Sequence, residues 1–273
     1  MRVRVNGRVA TIAIEDYVAG CVAAELGSMP LDARAAAHAR DVQAILCRSY
    51  ALGNLGHHAS EGFDVCDSTH CQVYRPVPAT AVGRLSKEAA DRTAGLVLKV
   101  EGQLVVPVYH ADCGGRTSAA EDVWGGLPAS YLVSVKDDVC PTRPAWRFET
   151  TVQRLAAALQ GASGFDPAGL RGVEVDKRDS AGRAAWVRMV GARTVSVRGN
   201  DFRAAVIAAF GASSLQSTLF TVARRGSTLV FEGRGNGHGV GLCQAGLIAR
   251  AARGEQPAAI VAHYFPGATV GPR

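Results

Sequence analysis

An α+β fold is the class this sequence predicts. Alternating residues on both sides of Asn6-Gly7 announce a tight antiparallel hairpin. Apolar residues at helical spacing follow at once, with Val18, Cys21 and Val22 at i, i+3 and i+4. Residues 147–232 then mix short strand-like and helix-like stretches in a texture of their own. A division follows from that change of texture: 1–146 and 233–273 are expected to form one unit of helices packed on antiparallel sheet, with 147–232 inserted as a smaller α+β subdomain.

The elements are expected in this order. Arg2–Val5 and Arg8–Ile14 form the hairpin. Glu15–Leu26 is a helix, stopped by Pro30. Asp32 is the N-cap of a second, Ala-rich helix that runs to about Asn54, where Gly53 and Gly56 end it. Residues 56–80 are irregular. A short helix near Ser86–Thr93 leads into strands at Leu96–Val100 and Gln103–Tyr109, joined at Glu101-Gly102. Within the subdomain the pattern gives a helix at 151–160, strands near 171–176, 185–190 and 194–198, a helix at 201–210, and strands near 218–223 and 227–232. A glycine-alternating loop, a helix near 243–253 and the segment Pro257–Tyr264 complete the chain.

Composition narrows the function. The chain has 273 residues, 48% hydrophobic, 20% charged and 6% aromatic, which excludes a disordered tail, a collagen repeat and a coiled coil. No apolar run approaches the roughly 18 residues of a membrane span. The opening Met1-Arg-Val-Arg-Val-Asn-Gly7 lacks an apolar h-region, so no signal peptide is expected in it. The net charge of +6 favours an anionic partner. The basic residues are scattered and lack the interleaved aromatics of a nucleic-acid surface, so no nucleic acid is expected, whereas an anionic polysaccharide suits the same mild charge.

Several motifs fail on inspection. Gly233-Arg-Gly-Asn-Gly-His-Gly-Val-Gly241 does not satisfy G-x-G-x-x-G in any register, and there is no Walker A, H-E-x-x-H, G-x-S-x-G or C-x-x-C. Its alternating glycines instead describe a backbone approached closely, either by an extended ligand or by another part of its own domain.

The residues with chemical promise form three groups. Glu25 lies four residues after Cys21 and three after Val22, which puts its carboxyl on the apolar side of its helix; a desolvated carboxyl holds its proton to higher pH, as a general acid must. The plain alternative is a helix-end Glu fraying into water. Cys66, His70 and Cys71 could hold zinc with a fourth ligand from His110 or Cys113. A disulfide from Cys113 to Cys71 or Cys140, or free thiols, explains the same residues. His238, set among glycines, either faces a cleft or bonds to backbone. The odd count of seven cysteines divides into a helical core set (Cys21, Cys47, Cys243) and a loop set (Cys66, Cys71, Cys113, Cys140). A thiol hydrolase built on Cys113 with His110 as its base has no fixed geometry behind it.

Five motifs in order resemble the SpoIID/LytB family, the stage II sporulation protein D and amidase-enhancer relatives. They are Ile14-Glu-Asp-Tyr-Val-Ala-Gly-Cys-Val-Ala-Ala-Glu25, Gln43-Ala-Ile-Leu-Cys-Arg-Ser-Tyr-Ala-Leu52, His70-Cys-Gln-Val-Tyr74, Tyr109-His-Ala-Asp-Cys-Gly-Gly-Arg-Thr117 and the run Gly233–Gln244, followed by His263-Tyr-Phe-Pro-Gly267. Residues 145–230 match only loosely, and Asn236 stands where family members often carry a Trp. The resemblance implies a lytic transglycosylase that cuts peptidoglycan strands stripped of stem peptides, with Glu25 as the catalytic acid. It places Arg48, Tyr50, His70, Gln72, His110, His238 and Gln244 along the glycan cleft, and a metal at Cys66, His70 and Cys71. It further implies a location outside the cytoplasm, peptidoglycan glycan strands and an amidase or other wall protein as partners, and no required cofactor beyond a structural zinc. The alternative is a non-catalytic glycan-binding protein that enhances an N-acetylmuramoyl-L-alanine amidase.

Overall fold

The structure, a computed structural model, describes residues 1–160 and 168–273 and has the expected α+β class. The chain divides into two compact units, Met1–Val108 with Leu247–Arg273, and Tyr109–Gly246. The segment 147–232 thus falls inside the second unit.

The first unit opens with β1 (Arg2–Val5) and β2 (Arg8–Thr11), paired antiparallel around Asn6 and Gly7, whose positive φ of 48° and 79° makes the tight turn that the Asn-Gly dipeptide predicts. Helix α1 (Ile14–Leu26) follows, and Gly27 ends it. Helix α2 (Ala33–Gly53) starts at Asp32, whose side chain accepts the Ala35 N–H at 2.9 Å, the expected cap. A short strand β3 (Val65–Cys66) then pairs parallel to β1, which sets Val65 beside Val3 and Cys66 beside Arg4. Helix α3 (Ala81–Arg92) begins five residues earlier than the pattern near Ser86 indicates, because Thr80 caps it through the Gly83 N–H. Strand β4 (Leu96–Val100) turns at Glu101-Gly102 into β5 (Gln103–Leu104). That strand is far shorter than expected: Pro107 has no N–H to give to a ladder.

The second unit contains the residues expected to complete that strand. Tyr109–His110 form β6, followed by α4 (Ala120–Trp124), β7 (Trp146–Thr151), α5 (Val152–Leu159), β8 (Gly172–Arg178), β9 (Ala184–Val190), β10 (Val195–Arg198), α6 (Gly199–Phe210), β11 (Phe220–Arg225), β12 (Thr228–Gly233) and β13 (Leu242–Cys243). Two antiparallel three-stranded sheets, ordered β10-β9-β8 and β11-β12-β7, share a core built on Leu155, Val187, Phe202, Val206, Leu229 and Phe231. Strand β6 pairs parallel to β13, matching Tyr109 to Leu242 and His110 to Cys243. The glycine-rich loop before β13 folds back on its own unit: Asp112 and Asn236 exchange backbone hydrogen bonds of 3.0 and 2.9 Å, and Ser118 N donates to Gly239 O at 2.8 Å. Another segment of the same unit thus lies close against the alternating glycines.

Helix α7 (Gln244–Ala252) carries the chain back to the first unit, where α8 (Pro257–Tyr264) and β14 (Ala268–Pro272) finish it, β14 completing a β14-β4-β5 sheet. The core of this unit gathers Val18, Val22, Val42, Leu46, Leu98 and Ile260, all essentially inaccessible to water. Each such aliphatic side chain contributes about 1.5–3 kcal/mol by leaving water. No helix among the described residues is long and apolar enough to cross a membrane.

Candidate functional site

In the first unit, α1 carries Glu25 one turn beyond Cys21, and Tyr17 one turn before it. Tyr17, Val18, Cys21 and Val22 are buried, while Glu25 is half-buried at the last turn. Its carboxyl is close enough to Cys21 for its charge to push that buried thiol further up, after burial and Cys47 have raised it. The turn that presents Glu25 is clamped from α2. Arg40, buried, donates to Gly27 O at 3.1 Å and to Ala36 O at 3.2 Å, so a cation sits at the negative C-terminal end of α1. Burial lowers the pKa of that guanidinium.

Down the same helix the site continues toward the cysteines. Tyr17 stacks on Tyr74 at 5.1 Å between ring centroids and donates its hydroxyl to Gln72 Oε1 at 3.2 Å. A Cβ on Gly20 would come within 2.4 Å of Arg75 O, so only glycine lets the Tyr74-Arg75 backbone lie across α1 here. That crossing holds Gln72 and the adjoining Cys71 beside the helix. Burial drives the Tyr17 hydroxyl pKa far upward and pushes Tyr50 up to about 12, with the Cys71 and Cys66 thiols adding in the second case.

Four potential ligand atoms, from His58, Cys66, His70 and Cys71, lie within 4.8 Å of one another. The fourth member is His58, not His110 or Cys113, which belong to the other unit. His58 stacks on Phe63 at 4.5 Å, and its Nδ1 lies 2.6 Å from Glu61 Oε1, which directs Nε2 to within 3.4 Å of Cys71 Sγ. A carboxylate behind a ligating imidazole is the usual way such a ring is oriented. His70 Nδ1 lies 3.9 Å from Cys66 Sγ and 3.6 Å from Cys71 Sγ. Against the burial that would raise it, hydrogen bonds from Ser68, Cys71 and His70 pull the Cys66 thiol down to about 7; burial leaves Cys71 up at about 11. Two sulfurs and two imidazoles suit zinc.

Arg48 does not face a cleft. Only 1% exposed, it donates from Nε to Glu15 Oε1 at 3.0 Å, from Nη1 to Leu96 O at 3.1 Å and from Nη2 to Ala90 O at 3.0 Å, with Thr93 Oγ1 at 3.3 Å. All its donors are spent tying α1, α3 and β4 together. The expectation that it contacts glycan is corrected on that ground. Tyr50 is half-buried, Gln72 buried and His70 exposed.

The second unit brings together His110, His238 and a residue that sequence reasoning missed, Trp124. His238 stands between Trp124 at 5.0 Å and His110 at 5.4 Å, ring to ring. Its two nitrogens face backbone, Nε2 toward Tyr109 O at 3.0 Å and Nδ1 accepting the Val240 N–H at 3.1 Å. Burial pushes its pKa down to about 4, against the Tyr109 carbonyl, and burial also holds buried His110 neutral. Gly237 permits this: its φ is +103°, and a Cβ there would sit 2.7 Å from His110 Cβ. Trp124 is 42% exposed, an aromatic face that Asn236 does not provide. Gln244, at the start of α7, is buried.

A second cluster lies in this unit. Cys113, Asp137, Cys140 and Cys243 place one ligand atom each within 4.8 Å of the others. Cys243 is fully buried, as its assignment to the core set expects, and its sulfur also joins this cluster. No disulfide joins any two of the seven cysteines, so neither the Cys113–Cys140 nor the Cys113–Cys71 pair considered above is bonded.

Residues 5–99 match the family model SpoIID, Stage II sporulation protein, and residues 142–241 match a domain of unknown function, DUF8618. The chain is 26% identical over 261 residues to an uncharacterised protein of Brachyspira hyodysenteriae, covering 94% of this chain and 66% of that one. It is 26% identical to the amidase enhancer of Bacillus subtilis, covering 84% of this chain and 37% of that protein. It is 28% identical to the stage II sporulation protein D of the same organism, covering 97% of this chain and 76% of that protein. The chain thus spans about two thirds of the Brachyspira relative and well under half of the amidase enhancer. Family model and relatives agree with the ordered motifs: residues 5–99 carry the SpoIID domain, and the chain as a whole is similar to proteins of the SpoIID/LytB family.

Proposed function

We propose that the chain is a peptidoglycan lytic transglycosylase acting outside the cytoplasm on glycan strands stripped of stem peptides. The observation that carries this reading is Glu25: a half-buried carboxyl at the end of α1, beside the buried Cys21 thiol, on a turn fixed by Arg40, within the SpoIID-matching segment. One carboxyl suffices for the reaction. Protonated Glu25 gives its proton to the glycosidic oxygen between N-acetylmuramic acid and N-acetylglucosamine, and the bond from that oxygen to the muramoyl C1 breaks. The muramoyl C6 hydroxyl then bonds to C1, and the Glu25 carboxylate takes the hydroxyl proton. The product is a 1,6-anhydro end, no water is consumed, and Glu25 is again protonated. A hydrolase would ordinarily need a second positioned carboxylate to activate water.

His70, Tyr50 and Gln72 in the first unit, and His110, His238 and Gln244 in the second, are the residues proposed to meet glycan, with Trp124 offering its exposed ring to a sugar face. His58, Cys66, His70 and Cys71 would hold a structural zinc that fixes the Gln72 loop; catalysis itself requires no cofactor. The segment 147–232 is proposed as the inserted subdomain of a unit formed by 1–146 and 233–273.

A second reading is favoured by the amidase enhancer relative: a non-catalytic glycan-binding protein that stimulates a wall amidase. Incubating the protein and its Glu25→Gln variant with denuded strands, and reading products by mass spectrometry, separates the two. Anhydromuramoyl products from the unaltered protein alone support the enzyme. Equal inactivity with retained strand binding supports the enhancer, and new reducing ends would contradict the transglycosylase chemistry.

A further inference from the structure

We propose a second metal site: Cys113, Asp137, Cys140 and Cys243 bind a zinc ion, separate from the His58–Cys71 cluster. The ligand atoms come from three stretches of chain, after β6, in the 137–140 turn and in β13, yet lie within 4.8 Å of one another. Cys113 and Cys243 are fully buried and Asp137 is 2% exposed. Cys140 Sγ is 3.7 Å from Cys243 Sγ, and Cys113 Sγ is 3.5 Å from Asp137 Oδ2. Three soft sulfurs with one carboxylate make a closed set of four protein ligands, each of a type that zinc takes.

Two geometric observations suit metal-bound sulfur here. First, backbone N–H groups aim at the sulfurs. Cys113 N donates to Cys243 Sγ at 3.2 Å, Gly246 N donates to the same sulfur at 3.4 Å, and Gly115 N donates to Cys113 Sγ at 3.3 Å. Such donors stabilise anionic sulfur most. Second, Arg183 is buried to 1% exposure against the cluster. Its Nη2 donates to Cys113 O at 2.6 Å, while Nε and Nη1 have no hydrogen-bond partner. Loading balances as one divalent zinc replacing three thiol protons, and with the Asp137 carboxylate the site carries a charge of about −2 beside Arg183. A disulfide between any two of the sulfurs would leave the third thiol and the carboxylate without that role. The ion would staple the β6 and β13 segments to the 137–140 turn.

The test uses the full chain, purified with reductant and without chelator, and measures zinc per chain by elemental analysis. The unaltered protein should hold about two equivalents, and a His58→Ala/Cys71→Ser variant about one, since only the four-ligand set in the second unit remains. Adding Cys140→Ser should remove that remaining equivalent. X-ray absorption on the His58→Ala/Cys71→Ser variant should give three sulfurs at about 2.3 Å and one oxygen at about 2.0 Å. Should that variant fail to fold, the Cys140→Ser single variant must lose half of the zinc of the unaltered protein. The proposal is overturned if the His58→Ala/Cys71→Ser variant folds without zinc, or if its residual zinc survives Cys140→Ser. A disulfide among these three cysteines, found by mass spectrometry on protein alkylated before any reduction, would also overturn it.

Discussion

Replacing Arg48 by Met distinguishes a residue that holds the first unit together from one that grips glycan. In the structure its guanidinium satisfies the Leu96 and Ala90 carbonyls and pairs with Glu15, whose side chain is 24% exposed. Methionine fills much of the volume and restores none of these bonds. Two buried carbonyls left unpaired cost about 1–3 kcal/mol each, and a buried ion pair broken on one side costs about 3–5 kcal/mol in all. Glu15 recovers part of its hydration because it is partly exposed, which brings the expected loss to about 4–5 kcal/mol, the low end of the sum. Arg48→Lys should recover little of it, because an ammonium cannot reach three separated acceptors as the planar fork does. Denaturant unfolding followed by far-UV circular dichroism reads the helix-rich first unit. Tryptophan fluorescence serves as an internal reference, since Trp124, Trp146 and Trp186 all lie in the second unit. A loss below about 1 kcal/mol, accompanied by a clear fall in glycan affinity, would refute this reasoning and return Arg48 to the cleft.

Three further outcomes follow from the second unit. Gly237→Ala forces a Cβ to 2.7 Å from His110 Cβ at a φ of +103°, and should cost about 2–3 kcal/mol in the tryptophan-detected transition; an effect within 0.5 kcal/mol, roughly the noise of a surface change, would contradict the close packing. His238, pushed down to about 4 by burial, binds its proton less readily folded than unfolded. Its contribution is therefore full above the unfolded value near 6.5 and lost as pH falls toward 4. The urea midpoint should drop between pH 7 and 4.5 by the equivalent of roughly 2–3 kcal/mol, with His110 adding in the same direction, and His238→Gln should flatten that dependence. Trp124→Ala should weaken binding to denuded strands about tenfold, measured by co-sedimentation, while leaving unfolding unchanged; unaltered binding would remove Trp124 from the proposed glycan surface.

Local chemistry was legible in the sequence, and long-range pairing was not. Asn6-Gly7 and Asp32 act through neighbours a few residues away, so the hairpin and the α2 cap appear where their dipeptide and side-chain patterns put them. Tyr109 and His110 read as the end of a hairpin strand, but they pair with Leu242 and Cys243, more than a hundred residues on. The same gap hid Cys243, whose bond from Cys113 N spans 130 positions. His58 carried no visible pattern; the turn closed by the His58–Phe63 bridge and the pairing of β3 bring it beside Cys66, His70 and Cys71. Arg48 shows the opposite failure: a family motif marks the position as important without saying whether the side chain faces a ligand or the core. Trp124 sits on a helix of only five residues, too short for any periodicity to reveal.

In the proposed transglycosylase reaction Glu25 moves one proton twice and water never enters. Digesting denuded glycan strands in ¹⁸O-labelled water reads this directly. Transglycosylation gives muramoyl ends lighter by one water than hydrolytic ends, free of ¹⁸O, and absent with Glu25→Gln. Muramoyl ends carrying ¹⁸O, or unchanged product from Glu25→Gln, would contradict it.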